Sequence, residues 1–410
     1  MADTTSCRIC EGTVEEFFDF GRQPLSNAFV KPGEEKDEFF FRLAVGLCSD
    51  CRMVQLVEEV PRERMFNEDY PYLSSGSVLM KAHWEAVAQR FVDREDNRDD
   101  PFVVELGCND GVMLETVAKA GVRHLGVEPS GGVADLAAGK GVLVRKDFFE
   151  EDVAASVRAE HGPADVVFAA NTLCHIPYMG SILRGVRDLL APKGVFVFED
   201  PYLGDIMAKT SFDQIYDEHF YFFGAHSVRA MAALHGLELV DVERLPVHGG
   251  EVRYTLALAG ALTPSAAVAA LLAEEVEAGL TDLETLRGFG ARVQRISDDL
   301  TALLTDLRDQ GRRVVAYGAT AKSATILNYS GIGPDLVEAV VDTTPAKQGR
   351  LTPGSHIPVV PAERFQDPYP DYALLFAWNH AEEIRGKEEG FRASGGRWIT
   401  YVPEVRVTSD

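Results

Sequence analysis

Positive charge is what this sequence lacks most. Lys and Arg total 40 against 64 Asp and Glu, for a net charge of −24. So acidic a surface repels phosphate backbones and anionic headgroups, which excludes nucleic acid and membranes as partners. An anionic ligand must instead be caught by a local basic pocket. Long apolar runs are missing too, since none approaches the ~20 residues of a membrane span. The opening MADTTSC has no basic stretch followed by an apolar one, so no export signal is read and a cytoplasmic location is expected. Otherwise the composition is that of an ordinary globular protein, 46% apolar and 25% charged. A chain of 410 residues is expected to form two or three domains.

Cysteine is sparse, with six residues, and that makes its placement informative. Cys7 and Cys10 form CRIC, and Cys48 and Cys51 form CSDC, with 37 residues between the pairs. Two C-x-x-C knuckles present four thiolates to one ion, the layout of a structural zinc site with no open position for catalysis. The stretch between them alternates and ends in a strand, as in a small ribbon-like module. A redox dithiol would need a βαβ context, which this segment lacks. Cys108 and Cys174 read as plain buried thiols.

The middle of the chain changes character. PFVVELGCNDGVMLETVAKAG reads as a buried strand from Phe102 to Leu106, a glycine turn and a helix. VRHLGVEPS is a second strand ending in Glu128, 21 positions after Gly107. An acid about 20 residues beyond such a turn can hydrogen-bond a ribose hydroxyl pair. The turn lacks the third glycine of a G-x-G-x-x-G dinucleotide loop. Its E-x-G-x-N-x-G form resembles the nucleotide loop of class I S-adenosylmethionine (SAM) methyltransferases. That resemblance implies a SAM site built from Glu105, Gly107, Asn109, Gly111 and Glu128. Asp147 and Phe148, after the third strand VLVR, would meet the adenine. Asn171, which ends the fourth strand, and Ser75 would help seat the cofactor. LLAPKGVFVFEDPY is the helix and fifth strand. LELVDVERLPVHGGEVRYTLALA is a hairpin turning at His248-Gly249-Gly250, like the terminal strands of that fold. Alternating strands and helices argue for a doubly wound sheet whatever the family.

FDQIYDEHFYFF, residues 212–223, sets three carboxylates, one histidine and two tyrosines among four phenylalanines. It could be a surface strand with one polar edge, or the wall of a dry pocket. It follows the fifth strand, which ends at Asp200, and precedes a helix near Ser227. Ligands of open α/β sheets sit beyond the carboxyl ends of strands, so the pocket wall is the reading adopted. On an extended chain Glu218 and His219 would face opposite sides.

After about fifty residues with leucine and alanine at helical spacing, a second α/β domain begins at RRVVAYGATAKSATILNYSG. It has no Walker A loop. Gly318 and the helix start at Ala321-Lys322-Ser323 form a phosphate cradle on helix N-terminus physics, and Lys347 and Arg350 add positive charge. The expected division is a zinc module (1–66), a SAM-binding catalytic domain (67–262), linker helices (263–311) and a C-terminal nucleotide-sugar domain (312–410).

Taken together, the four-cysteine module, DQIYDEHFYF, and YGATAKSAT, VDTTPAKQG and FAWNH resemble the three-domain sugar C-methyltransferases over nearly the whole chain. The likeness is closest to the 3-C-methyltransferases of tetronitrose and kijanose type, which act in antibiotic deoxysugar biosynthesis. It implies a thymidine-diphosphate (dTDP) 4-keto-deoxysugar substrate, a 3-amino-4-keto-2,3,6-trideoxyhexose methylated at carbon 3 through an enolate. His219 is the expected base, with His175 as rival base or oxyanion donor. Tyr216 is a candidate donor, Glu218 an orienting or amine-binding group, and Tyr70 a residue reaching in from the preceding segment. Tyr221, Tyr317, Gly318, Lys322, Ser323, Lys347, Arg350 and Asn379 would bind the sugar nucleotide. A monomer is expected. A non-catalytic nucleotide-sugar binding protein, an O-methyltransferase, and methylation of another sugar or carbon are the alternatives.

Overall fold

The computed structural model describes residues 5–65, 74, 77–94, 100–366 and 368–408. Strand Phe102–Leu106 is buried along its whole length, as a parallel strand covered by helices on both faces must be. It is central to a seven-stranded sheet in the order 237–245, 251–258, 190–201, 164–170, 102–106, 123–127 and 144–145. The first three strands pair antiparallel and the remainder parallel. The hairpin read around His248 is therefore real, and it sits beside the fifth strand. This is the class I methyltransferase order, with the site at the carboxyl ends of the parallel strands.

The C-terminal sheet has six strands in the order 359–361, 340–342, 314–317, 372–375, 397–400 and 406–408. Only the last pairing is antiparallel. The strand order reverses between Val314–Tyr317 and Tyr372–Leu375, and a crevice opens at such a switch point. Helix Leu283–Asp309 ties the parts together. Its buried Leu286, Phe289, Val293, Ile296, Leu300, Leu304 and Leu307 recur every three or four residues and form one apolar stripe. Asp282 caps it through the amides of Glu284 and Thr285. Among the described residues no helix is long and apolar enough to cross a membrane.

The N-terminal sheet holds the main departure from a strictly sequential fold. Four of its strands come from residues 5–56, but its edge strand is Tyr221–Phe222, from the aromatic segment. Tyr221 pairs with Gln55 and Phe222 with Val54. Phe212, Phe220, Phe222 and Phe223 are all essentially without solvent exposure, which rules out the surface-strand reading. Buried carboxylates in such a run need partners. Asp213 Oδ2 accepts Trp378 Nε1–H and the Tyr401 hydroxyl, each at 2.7 Å. Asp217 Oδ1 accepts the Ser26 amide at 2.9 Å. The Thr325 hydroxyl donates to the Ile215 carbonyl at 2.7 Å. The segment is thus gripped from both flanking domains.

Leaving a buried donor unpaired costs about 1–3 kcal/mol, and Asp213 serves two. Asp213→Ala should lower unfolding free energy by about 2–5 kcal/mol in urea denaturation. A loss under about 1 kcal/mol would mean that the Asp213 clamp is dispensable.

Candidate active site

All three parts of the chain face one cavity of about 600 Å³. The parallel strands of the methyltransferase-like sheet end on one side of it and the C-terminal switch point on the other. The 212–223 segment lies between, and Asn27 reaches in from the N-terminal module.

On the first side, Gly107 has φ +67°, and a Cβ there would come within 2.6 Å of Thr172 Oγ1. Only glycine allows this approach. Glu128 follows strand Arg123–Val127 and is held by two amides, Asn109 N–H at 2.9 Å and Ser130 N–H at 2.8 Å. Its carboxylate is thereby aimed into the cavity, where Gly107, Asn109, Phe148 and Asn171 also lie. Burial raises the Glu128 pKa against the pull of the two amides. Glu105 is placed differently. It lies beneath the wall, and burial, with Glu128 and Asp110 nearby, pushes its carboxyl well above the usual range. Gly111 serves packing, since a Cβ there would meet Ala137 Cβ at 2.8 Å. Asp147 turns aside toward Arg145, 3.4 Å away, and does not line the cavity. Tyr70 and Ser75 lie outside the described residues. Ser74 is described, and its amide donates to Asn109 Oδ1 at 3.0 Å.

At the centre the chain turns instead of running extended, with the His219 amide bonded to the Tyr216 carbonyl at 3.1 Å. The expected separation of Glu218 from His219 therefore does not occur, and both line the cavity. His219 Nδ1 is 2.8 Å from the Gln214 carbonyl, an acceptor, so Nδ1 carries the proton. Nε2 is left with a lone pair, which accepts the Tyr216 hydroxyl at 2.9 Å. The His175 ring lies 5.1 Å from that of His219. Burial brings His175 down to about 4. Burial first, then the neighbouring His175, holds His219 well below its ordinary value. Both rings are neutral at neutral pH. Asn27 Nδ2 donates to Glu218 Oε1 at 2.6 Å, a contact across 191 residues.

On the C-terminal side, Lys322 Nζ donates to Asn379 Oδ1 at 2.6 Å and sits 4.1 Å above the Trp378 ring. Burial lowers its pKa to about 8. Lys347 Nζ donates to the Ala319 carbonyl at 2.8 Å, and burial lowers it as well. Tyr317, Gly318, Lys322, Lys347 and Asn379 all line the cavity. Three others do not. The Ser323 hydroxyl is spent on the Thr320 carbonyl at 2.6 Å. Arg350 donates to the Phe29 carbonyl at 3.2 Å. The Tyr221 hydroxyl donates to the Pro177 carbonyl at 2.7 Å, because strand pairing with Gln55 turns this residue into the core.

Sequence reasoning missed Asp342, Lys387, His248 and Asn27 on this wall. Asp342 was findable, being an acid that ends a strand 24 residues after Gly318. It accepts the Ala319 and Thr344 amides, both at 2.7 Å, repeating the pattern of Glu128.

The cysteine cluster stands apart from the cavity. Cys7 and Cys51 sulfurs are 3.6 Å apart, those of Cys10 and Cys48 3.4 Å, and all four lie within 4.8 Å. Tetrahedral zinc with ~2.3 Å bonds to sulfur places thiolates about 3.8 Å apart, so the donor set fits zinc. Gln55 Nε2 donates to Cys7 Sγ at 3.0 Å, as a group supporting a thiolate would.

Residues 7–66 match a family described as "Putative zinc binding domain". Residues 80–242 match "Methyltransferase domain" and residues 246–403 match "C-methyltransferase C-terminal domain". The chain is 35% identical over 412 residues to C-methyltransferase NovU of Streptomyces niveus, covering 98% of this chain and 96% of that protein. It is 31% identical over 150 residues to a ubiquinone biosynthesis O-methyltransferase of Paraburkholderia xenovorans (strain LB400), covering 33% of this chain and 64% of that one. Among solved structures, it is similar to magnesium protoporphyrin IX methyltransferase of Synechocystis PCC 6803, with TM-score 0.33 and 12% identity, covering 43% of this chain and 79% of that one.

Glu128→Ala should weaken SAM binding, measured by calorimetry, by about 5- to 150-fold, the equivalent of 1–3 kcal/mol for unpaired buried hydroxyls. Unchanged affinity in a folded variant would remove Glu128 from the cofactor site.

Proposed function

The chain belongs to the C-methyltransferase family, and from that premise we propose that it methylates carbon 3 of a dTDP-3-amino-4-keto-2,3,6-trideoxyhexose. It is a SAM-dependent C-methyltransferase. The observation that carries the substrate reading is the Tyr216–His219 pair, in one cavity with Glu128 and with Lys322 and Lys347. Bound SAM supplies an electrophilic methyl group, so only the accepting carbon needs activation.

That carbon becomes a nucleophile when its proton leaves and the bonding pair passes into an enolate with the adjacent ketone oxygen. His219 is the base. Its Nδ1–H is anchored to the Gln214 carbonyl, which fixes the Nε2 lone pair toward Tyr216. The carbon proton passes to the Tyr216 oxygen as the phenol proton passes to His219 Nε2, leaving an imidazolium and the enolate. The enolate pair then forms the carbon–carbon bond while the carbon–sulfur bond breaks and its pair stays on sulfur. Glu218, braced by Asn27, stands ready to meet the sugar's ammonium group. Lys322, Lys347 and the Gly318 turn hold the diphosphate. In an otherwise acidic protein they are the local cations that such a ligand requires.

Turnover of the purified protein with SAM and a panel of dTDP keto-sugars in deuterated water tests this reading. His219→Asn and Tyr216→Phe should bind both ligands, lose about 10²–10⁴ in turnover and lose deuterium exchange next to the ketone. Exchange that survives in His219→Asn and vanishes in His175→Asn would move the base to His175. Acid limits the rate by protonating His219, whose pKa lies below its ordinary 6.5, so the acid limb of kcat should fall below pH 6.5. A midpoint at or above 6.5 would contradict the buried neutral base.

A further inference from the structure

The mechanism leaves one requirement unmet. A charge that develops on the ketone oxygen needs a hydrogen-bond donor, and the Tyr216 hydroxyl is already committed to His219 Nε2. Another donor has to be sought on the cavity wall.

His248 is on that wall, at the tip of the hairpin between strands Leu237–Leu245 and Glu251–Leu258. Its backbone has φ +48°, a left-handed conformation that is unusual for a residue with a side chain. The turn is forced to hold it. Lys209 Nζ donates to the Gly249 carbonyl at 2.5 Å, the Gly250 amide to the Val247 carbonyl at 2.8 Å, and the Tyr202 amide to the Gly250 carbonyl at 3.1 Å. Strain kept by this much surrounding structure is a mark of functional sites. The turn also abuts the support of His219. A Cβ on Gly249 would lie 3.4 Å from Gln214 Nε2, and it is the Gln214 carbonyl that anchors His219. Among the described residues, His248 Nε2 is buried with no hydrogen-bond partner. A buried polar atom without a partner calls for an explanation, and a ligand atom is one.

Resting on the keto-sugar reading above, we propose that His248 is a further catalytic residue, donating its Nε2–H as a neutral imidazole to the developing enolate oxygen. Burial lowers its pKa to about 3, consistent with a ring that stays neutral at working pH. A neutral donor stabilises the oxyanion without adding a cation that would acidify His219 further.

The test compares His248→Leu with His248→Gln in the full-length protein, using dTDP keto-sugar turnover, deuterium exchange next to the ketone, and SAM binding. Loss of one such donor costs about 10²–10³ in rate. His248→Leu should lose about that much in kcat and slow exchange in parallel, with SAM affinity unchanged and sugar KM moved by less than about threefold. His248→Gln, which keeps an N–H donor, should recover at least about tenfold of the loss. Turnover of the Leu variant within about threefold of wild type overturns the proposal. So does a Gln variant as slow as Leu with the same fall in thermal midpoint, since that would be a packing defect. A wild-type protein that exchanges no keto-sugar at all would overturn the substrate reading itself, and this inference with it.

Discussion

The grip of the flanking domains on segment 212–223, which includes the hydrogen bond from the Ser26 amide to the buried Asp217 carboxylate, is the constraint on which the site depends. That bond joins the cysteine module to a segment that carries Tyr216, Glu218 and His219. A loop with that many titratable groups would ordinarily sit in solvent, since buried polar groups need partners the loop cannot supply itself. Here the partners come from elsewhere. The N-terminal module adds the loop to its own sheet through Gln55 and Val54, and the C-terminal domain takes Asp213 through Trp378 and Tyr401. The N-terminal module thus does more than fold around its cysteines, because its strands and the Ser26–Asn27 turn hold the segment that carries Tyr216, Glu218 and His219.

Burial then determines the electrostatics. It raises Asp217 to about 6 and Asp200 to about 7, and lowers Lys322 to about 8. It also keeps His175, His219 and His248 uncharged. The net charge of −24 is therefore largely a property of the surface. The cavity sets neutral imidazoles beside the carboxyl groups of Glu128 and Glu218, with Lys322, Lys347 and Asp342 on the C-terminal side. His219 stands at the centre of that cavity, between the Glu128 side and the side that carries Lys322 and Lys347.

Features carried by local spacing were legible in the sequence. The C-x-x-C pairs, the glycine turn with Glu128 and the alternation of strands and helices each carry a pattern of fixed spacing, and the structure brings the four cysteines together and forms the turn and the alternating sheet. Features carried by long-range pairing were not. Glu218 was assigned to the wrong side because a turn at Tyr216 cannot be distinguished from a strand by an aromatic-rich composition. Tyr221 looked like a substrate ligand until its pairing with Gln55 placed it in a core. Asn27 carries no motif at all, and only a contact across 191 residues gives it a place in the cavity. Asp342 was legible by the spacing that found Glu128, an acid ending a strand about 20 residues beyond a glycine turn.

The direct test of this account is hydrogen–deuterium exchange of the protein before and after metal is stripped from the cysteine cluster, with zinc content measured on the same samples. If the module braces the aromatic segment, amides within 212–223 should lose protection on stripping, while those of strands Phe102–Leu106 and Arg123–Val127 keep theirs. Protection of 212–223 that survives in fully stripped protein would contradict the account.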